Sequence, residues 1–222
     1  MIVTIDGPAG SGKSTIAKNL SEKLGWMFLD TGAMYRVVAW LVQRENLKLE
    51  DTARIAEIAQ TAQIRFVRRD HSLDIYLNDE NVTAFVRTEA VSEFASRISA
   101  IPEVRTALVQ KQRDLAEFYG NIVTEGRDQG SVVFPNAELK VYLDADVAER
   151  ARRRYEQLLE QGQPADLAKI LEALKDRDHR DKTRSTSPLV VPDRAVVLDT
   201  TLMTPAQVLE RLIHLVKERE QQ

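Results

Sequence analysis

The chain has 222 residues, with 31 Lys and Arg against 34 Asp and Glu and a formal net charge of −3. That length suits one compact domain with small attachments, and a slightly negative charge gives no general attraction for a nucleic-acid backbone. With no cysteine there are no disulfides or thiolate metal sites, and the longest wholly apolar run, Val37–Val42, is far too short to cross a bilayer.

The first strand candidate is Ile2–Ile5. No basic stretch precedes it, so no secretory signal is expected and the cytoplasm is the expected location. The strand runs into Gly7, Pro8, Ala9, Gly10, Ser11, Gly12, Lys13 and Ser14, a complete G-x-x-x-x-G-K-[ST] phosphate loop. A helix is expected over Ser14–Leu24, so the motif lies between a strand and a helix, where its physics requires it. Glycines let main-chain N–H groups turn toward an anion, and the helix N-terminus adds partial positive charge. Lys13 reaches the outer phosphates and the Ser14 hydroxyl suits Mg²⁺.

Gly25 stops that helix, and Met27–Leu29 is the second strand candidate. Asp30–Gly32 then leads into a helix expected over Ala33–Glu45. Its apolar face is Met34, Val37, Val38 and Leu41, and Arg36 lies off that face. Arg36 suits bidentate capture of a second phosphate. A solvated helix arginine is the alternative.

Two alternating runs, 64–68 and 73–77, flank the polar turn Arg69–Ser72. They predict a hairpin with one buried face. Because it interrupts the strand–helix alternation, roughly 60–98 reads as an insert.

A helix over Pro102–Glu117 and a strand over Ile122–Thr124 follow. The charged segment Thr124–Gly130 comes directly after that strand, which makes it an unlikely piece of core. Arg127 is suited to a phosphate and Asp128 to a base amino group; a surface turn with an ion pair is the alternative. After a fourth strand, Lys140–Leu143, the helix expected over Ala148–Gln161 crowds Arg150, Arg152, Arg153 and Arg154 together. Unpaired, such charges repel, which fits a polyanion entering between them or else a solvated basic face. Gln161–Pro164 is a turn. Arg177, Asp181 and Arg184, at i, i+4 and i+7, would share one helix face and either bind a sugar and phosphates or form a salt-bridge ladder. A loop through Ser187–Pro192, a strand at Ala195–Leu198 and a helix at Thr204–Glu220 end the chain. Alternation of this kind predicts a parallel sheet with helices on both faces.

Several functions are excluded by what is missing. His179-Arg180-Asp181 imitates a protein-kinase catalytic triplet, but position 186 is Thr where Asn is needed and no Asp-Phe-Gly occurs. A switch GTPase would carry Asp-x-x-Gly and Asn-Lys-x-Asp, and neither occurs. His71, His179 and His214 lack ligand spacing. A phosphate loop with several separate arginine stations fits phosphoryl transfer between two anionic substrates. No residue stands out as a general base. That favours a phosphate acceptor, because a phosphomonoester with a second pKa of about 6 is already largely dianionic at neutral pH.

The residues quoted, together with Val133-Phe134-Pro135 and Pro188-Leu189, closely resemble those of bacterial-type cytidylate kinases, within the P-loop nucleoside monophosphate kinases. The resemblance covers nearly the whole chain. It implies an α/β, three-layer P-loop kinase fold with a five-stranded parallel sheet. A core of 1–30 and 99–222 would carry a lid at about 149–165, and 31–98 would form the monophosphate-binding domain with its small β-hairpin. The implied reaction is ATP + (d)CMP ⇌ ADP + (d)CDP, with Mg²⁺ held by Ser14. Gly7 through Ser14 and Thr15 would hold ATP. Thr31, Ser96, Arg105 and Asp128 would line the cytosine pocket, with Arg184 reaching toward it. Arg36 and Arg127 would clamp the CMP phosphate, and Arg177 and Asp181 would hold the ribose. Lys13, Arg127, Arg153 and Arg154 would act on the transferring group. A monomer is expected, with no nucleic-acid or membrane partner. The alternatives are another small-molecule or nucleoside monophosphate kinase, such as one for UMP, or a nucleotide-binding regulator.

Overall fold

The computed structural model describes residues 1–69 and 72–221. The chain divides into two compact units, Met1–Phe28 with Tyr119–Gln222 and Leu29–Phe118.

In the first unit, β1 (Ile2–Asp6) leads through the phosphate loop to α1 (Lys13–Leu24), and Gly25, in the left-handed conformation, ends that helix. β2 (Met27–Asp30) follows, its last two residues opening the second unit.

The second unit begins with α2 (Thr31–Arg44), which starts without an intervening turn because the Asp30 side chain caps it, accepting from the Ala33 N–H at 2.8 Å. Next come α3 (Thr52–Thr61), β3 (Ile64–Arg69), β4 (Ser72–Leu77), a two-residue β5 (Glu80–Asn81), α4 (Thr83–Val86), α5 (Glu89–Ile98) and α6 (Pro102–Tyr119). β3 and β4 pair antiparallel, with Ile64 opposite Leu77 and Phe66 opposite Ile75, all four buried. The alternation therefore does form a one-faced hairpin; Asp70 and His71 of its expected turn lie outside the described residues. α6, as far as Phe118, falls in the second of these compact units. Arg105 shows why: it bonds back to the Ser99 carbonyl at 3.1 Å and lies 5.5 Å over the Tyr35 ring of α2.

The chain then returns to the first unit through β6 (Ile122–Gly126), a five-residue π-helical turn (Gln129–Val133) and β7 (Leu139–Asp144). α7 (Val147–Glu160), α8 (Leu167–Thr183), β8 (Val196–Asp199) and α9 (Pro205–Glu220) complete it. The five-stranded parallel sheet has the order β2-β6-β1-β7-β8. Val3 and Ile5 of the central strand are wholly buried, as expected of a parallel strand covered on both faces. Each such side chain contributes on the order of 1.5–3 kcal/mol. In register, Asp6 lies beside Gly126 of β6 and Tyr142 of β7, so three strands deliver their carboxyl ends to one edge. That is where ligands bind in open α/β sheets. Gly7 must be glycine there, since a Cβ would stand 2.0 Å from the Leu143 carbonyl oxygen.

Candidate active site

The phosphate loop ends in an open helix. Gly12 is the N-cap of α1 at φ 85°, contributes no side-chain cap, and no first-turn residue is acidic. The first N–H groups of a helix have no partner within it, so the amides after Gly12 are available to an anion. Lys13 is 5% exposed, its Nζ donating to the Pro8 carbonyl at 2.6 Å and to Ser11 Oγ at 3.3 Å. Burial, then the charge of Arg127, pushes the ammonium down to about 7. Ser14 Oγ donates to Glu125 Oε1 at 2.8 Å. A hydroxyl in the first turn of α1 and a carboxylate near the end of β6 are hard oxygen donors of the kind Mg²⁺ takes. Among the described residues no group of three or more His, Cys, Asp or Glu could hold a metal. Glu125 belongs to the motif quoted above, yet its spacing alone gave it no role.

The charged segment 124–130, unlikely as core on its sequence, is largely buried. Glu125, Asp128 and Gln129 are 5%, 4% and 1% exposed. A second buried carboxylate makes this possible: Asp6 accepts from the Gln129 and Gly130 N–H groups at 2.8 and 2.7 Å. Those bonds hold the start of the π-helical turn, an irregularity that recurs at functional sites. Burial pushes Asp6 up to about 7, against the pull of its two N–H donors. Next to the turn, Arg127 Nε donates to Asp181 Oδ2 at 2.8 Å. Burial alone would raise Asp181, but the charges of Arg127 and Arg177 outweigh it and hold the carboxyl below its usual range.

Two expectations for the arginines need correcting. The cluster on α7 is not unpaired. Arg150 is buried against Asp178 at 2.7 Å, and Arg152 pairs with Glu149 and Glu156. Arg153 bonds to Glu149 at 2.9 Å and to the Thr200 carbonyl at 2.6 Å, and Arg154 bonds to Gln157 at 3.0 Å. Carboxylates three and four positions away compensate Arg152 and Arg153, the distant Asp178 compensates Arg150, and Arg154 has an amide oxygen instead. Arg184 does not share the α8 face. It is the C-cap in extended conformation, and its Nε donates to the Ser187 carbonyl at 2.6 Å.

In the second unit, Arg36 Nη2 pairs with Asp30 Oδ2 at 3.0 Å, while its buried Nε has no protein partner. Ser96 Oγ is likewise buried without one. Thr31 and Arg105 are each 3% exposed. Thr31 and Arg105 are thus shielded from solvent, whereas Arg36 and Ser96 are partly exposed residues with one buried polar atom each.

The sequence profile described as Cytidylate kinase matches residues 3–218. The chain belongs to the cytidylate kinase family. A cytidylate kinase of Caldanaerobacter subterraneus subsp. tengcongensis is 45% identical over 219 residues, covering 97% of this chain and 94% of that protein. One from Stutzerimonas stutzeri is 42% identical, covering 99% and 96%. A crystal structure of an uncharacterized protein from Eubacterium ventriosum ATCC 27560 matches with a TM-score of 0.55 at 11% identity, covering 98% of each chain, a likeness of fold alone. In this member of the family, Asp6, Glu125 and Asp178 are the acidic groups that sequence spacing left without a role. Their partners come from distant segments, up to 169 positions away for Asp178 and Ala9.

Proposed function

We propose that the protein transfers the terminal phosphoryl group of ATP to CMP or dCMP, giving ADP and CDP or dCDP. The observation that carries this reading is the open, uncapped start of α1 behind Lys13, with Ser14 and Glu125 bonded beside it, in a chain that matches the cytidylate kinase family along nearly its full length. The loop from Gly7 to Thr15 would hold the ATP phosphates through main-chain N–H groups and Lys13. Ser14 and Glu125 would hold Mg²⁺, which neutralises charge on the phosphate oxygens when bound. Arg36 and Arg127 would take the acceptor phosphate, and Arg177 and Asp181 the ribose. Thr31, Ser96, Arg105, Asp128 and Arg184 would read the base. Arg153 and Arg154 would leave their resting partners for the transferring group. The acceptor is already a dianion near neutral pH, so in-line attack needs no general base. Catalysis then rests on placement and on cationic groups facing the charge of the transition state. The same reading includes action as a monomer in the cytoplasm, within pyrimidine nucleotide metabolism, without nucleic-acid or membrane partners.

A coupled ADP-release assay across CMP, dCMP, UMP, AMP, GMP and shikimate tests this. CMP or dCMP should be preferred by at least roughly tenfold, about 1.4 kcal/mol. Preference for another acceptor, or slow ADP release indifferent to all of them, would overturn it.

A further inference from the structure

Arg150 and Asp178 form a buried pair that the proposed reaction leaves without a task. They are 5% and 8% exposed, and Arg150 Nη2 lies 2.7 Å from Asp178 Oδ2. The other donors of Arg150 go to main chain: Nη1 to the Ala9 carbonyl at 2.8 Å and Nε to the Ala145 carbonyl at 2.9 Å. Asp178 Oδ1 in turn accepts from the Ala9 N–H at 3.3 Å. Both polar groups of Ala9, in the middle of the phosphate loop, therefore end on this one pair. The next residue packs against it as well. A Cβ on Gly10 would meet Arg150 Cβ at 3.4 Å and Leu174 Cδ2 at 3.6 Å.

Stability gives little reason for such a pair. Burying two charges is costly, and apolar side chains of similar volume often serve the fold as well or better. What apolar side chains lack is a directed grip on one peptide's N–H and C=O together. The pair has a second geometric consequence. Arg150 sits on α7 and Asp178 on α8, the helices on either side of the turn at 161–166. The loop is thus tied to both.

We propose that Arg150 and Asp178 are positioning residues for ATP, fixing Ala9 so that the remaining loop amides and Lys13 are set for its phosphates. This rests on the reading of the loop as the ATP site. An arginine expected to face a polyanion from the surface instead acts from beneath the loop, touching no substrate.

Three variants test it by steady-state kinetics with thermal melting. Arg150→Lys keeps the charge but cannot reach all three acceptors. It should raise the KM for ATP about tenfold while the KM for CMP stays within about twofold. Arg150→Met should do more and lower Tm, because Asp178 is left buried and unpaired. In Arg150→Met/Asp178→Leu the charges are gone together, so Tm should recover while the KM for ATP stays raised. Recovery of the ATP KM along with Tm would overturn the proposal, since a filler role predicts that result. If the double variant does not fold, Arg150→Lys decides alone, and an unchanged ATP KM there overturns the proposal. Failure of the ATP reading itself is distinguishable, because the wild-type protein would then show no saturable ATP-dependent ADP release.

Discussion

Two helices of the larger unit begin in opposite ways. α7 starts behind Asp146, whose Oδ1 accepts from the Ala148 and Glu149 N–H groups at 2.8 and 3.3 Å. α1 starts behind Gly12, with no side-chain acceptor and no acid in its first turn. A capped helix end satisfies its own donors and gains about 1 kcal/mol. An uncapped one leaves that stabilisation to whatever anion arrives. The contrast separates a helix end that satisfies its own donors from one whose first N–H groups are left to an anion.

The strongest way to break the comparison is Lys13→Ala. With phosphate charge left uncompensated, kcat/KM should fall at least about 100-fold, on the order of 3 kcal/mol or more, in the ADP-release assay. Near-normal turnover would remove Lys13 from the mechanism. Next in size, Glu125→Gln should raise the Mg²⁺ concentration for half-maximal activity about tenfold. Stripping divalent ions with a chelator should stop wild-type turnover, and readdition should restore it. An unchanged Mg²⁺ titration would mean that Glu125 only anchors Ser14.

The buried carboxylate at Asp6 sharpens the comparison through pH. Its pKa stands at about 7 in the fold, against an ordinary value of 3.8. Between those values the folded state holds a proton that the unfolded state has released. Asp6 therefore favours folding below about pH 4, and this contribution is lost as pH rises through about 7. Thermal melts from pH 5 to pH 8 should show wild-type Tm declining more steeply with pH than that of Asp6→Asn. Parallel curves would show that Asp6 does not titrate in this range. The smallest effect belongs to the capped helix: Asp146→Ala should cost about 1 kcal/mol of stability in chemical denaturation and leave kcat unchanged.

How much of this was readable beforehand follows from how local each signal is. The phosphate loop is legible because its glycine and lysine spacing encodes its shape within eight consecutive residues. The hairpin of β3 and β4 is legible because Ile64, Phe66, Ile75 and Leu77 alternate with polar neighbours. α8 offers no such pattern. Its buried side chains are Asp178 and Asp181, which a hydrophobic period counts as surface. Both are held inside by arginines from elsewhere in the chain, Arg150 and Arg127. The same limit hid the role of Asp6, whose donors lie 123 and 124 positions away. It also turned Arg150 from a buried strut into an apparent surface charge. Local periodicity finds apolar faces; charges that are inside only because a distant partner is inside with them leave no periodic trace.

The reaction that defines this protein is the passage of a terminal phosphoryl group from one nucleotide to another. Chromatographic separation of nucleotides after incubating the protein with ATP, Mg²⁺ and CMP measures this directly. CDP and ADP should appear together in equal amounts, and neither should form at a comparable rate when CMP is left out. ADP accumulating without CDP would contradict it.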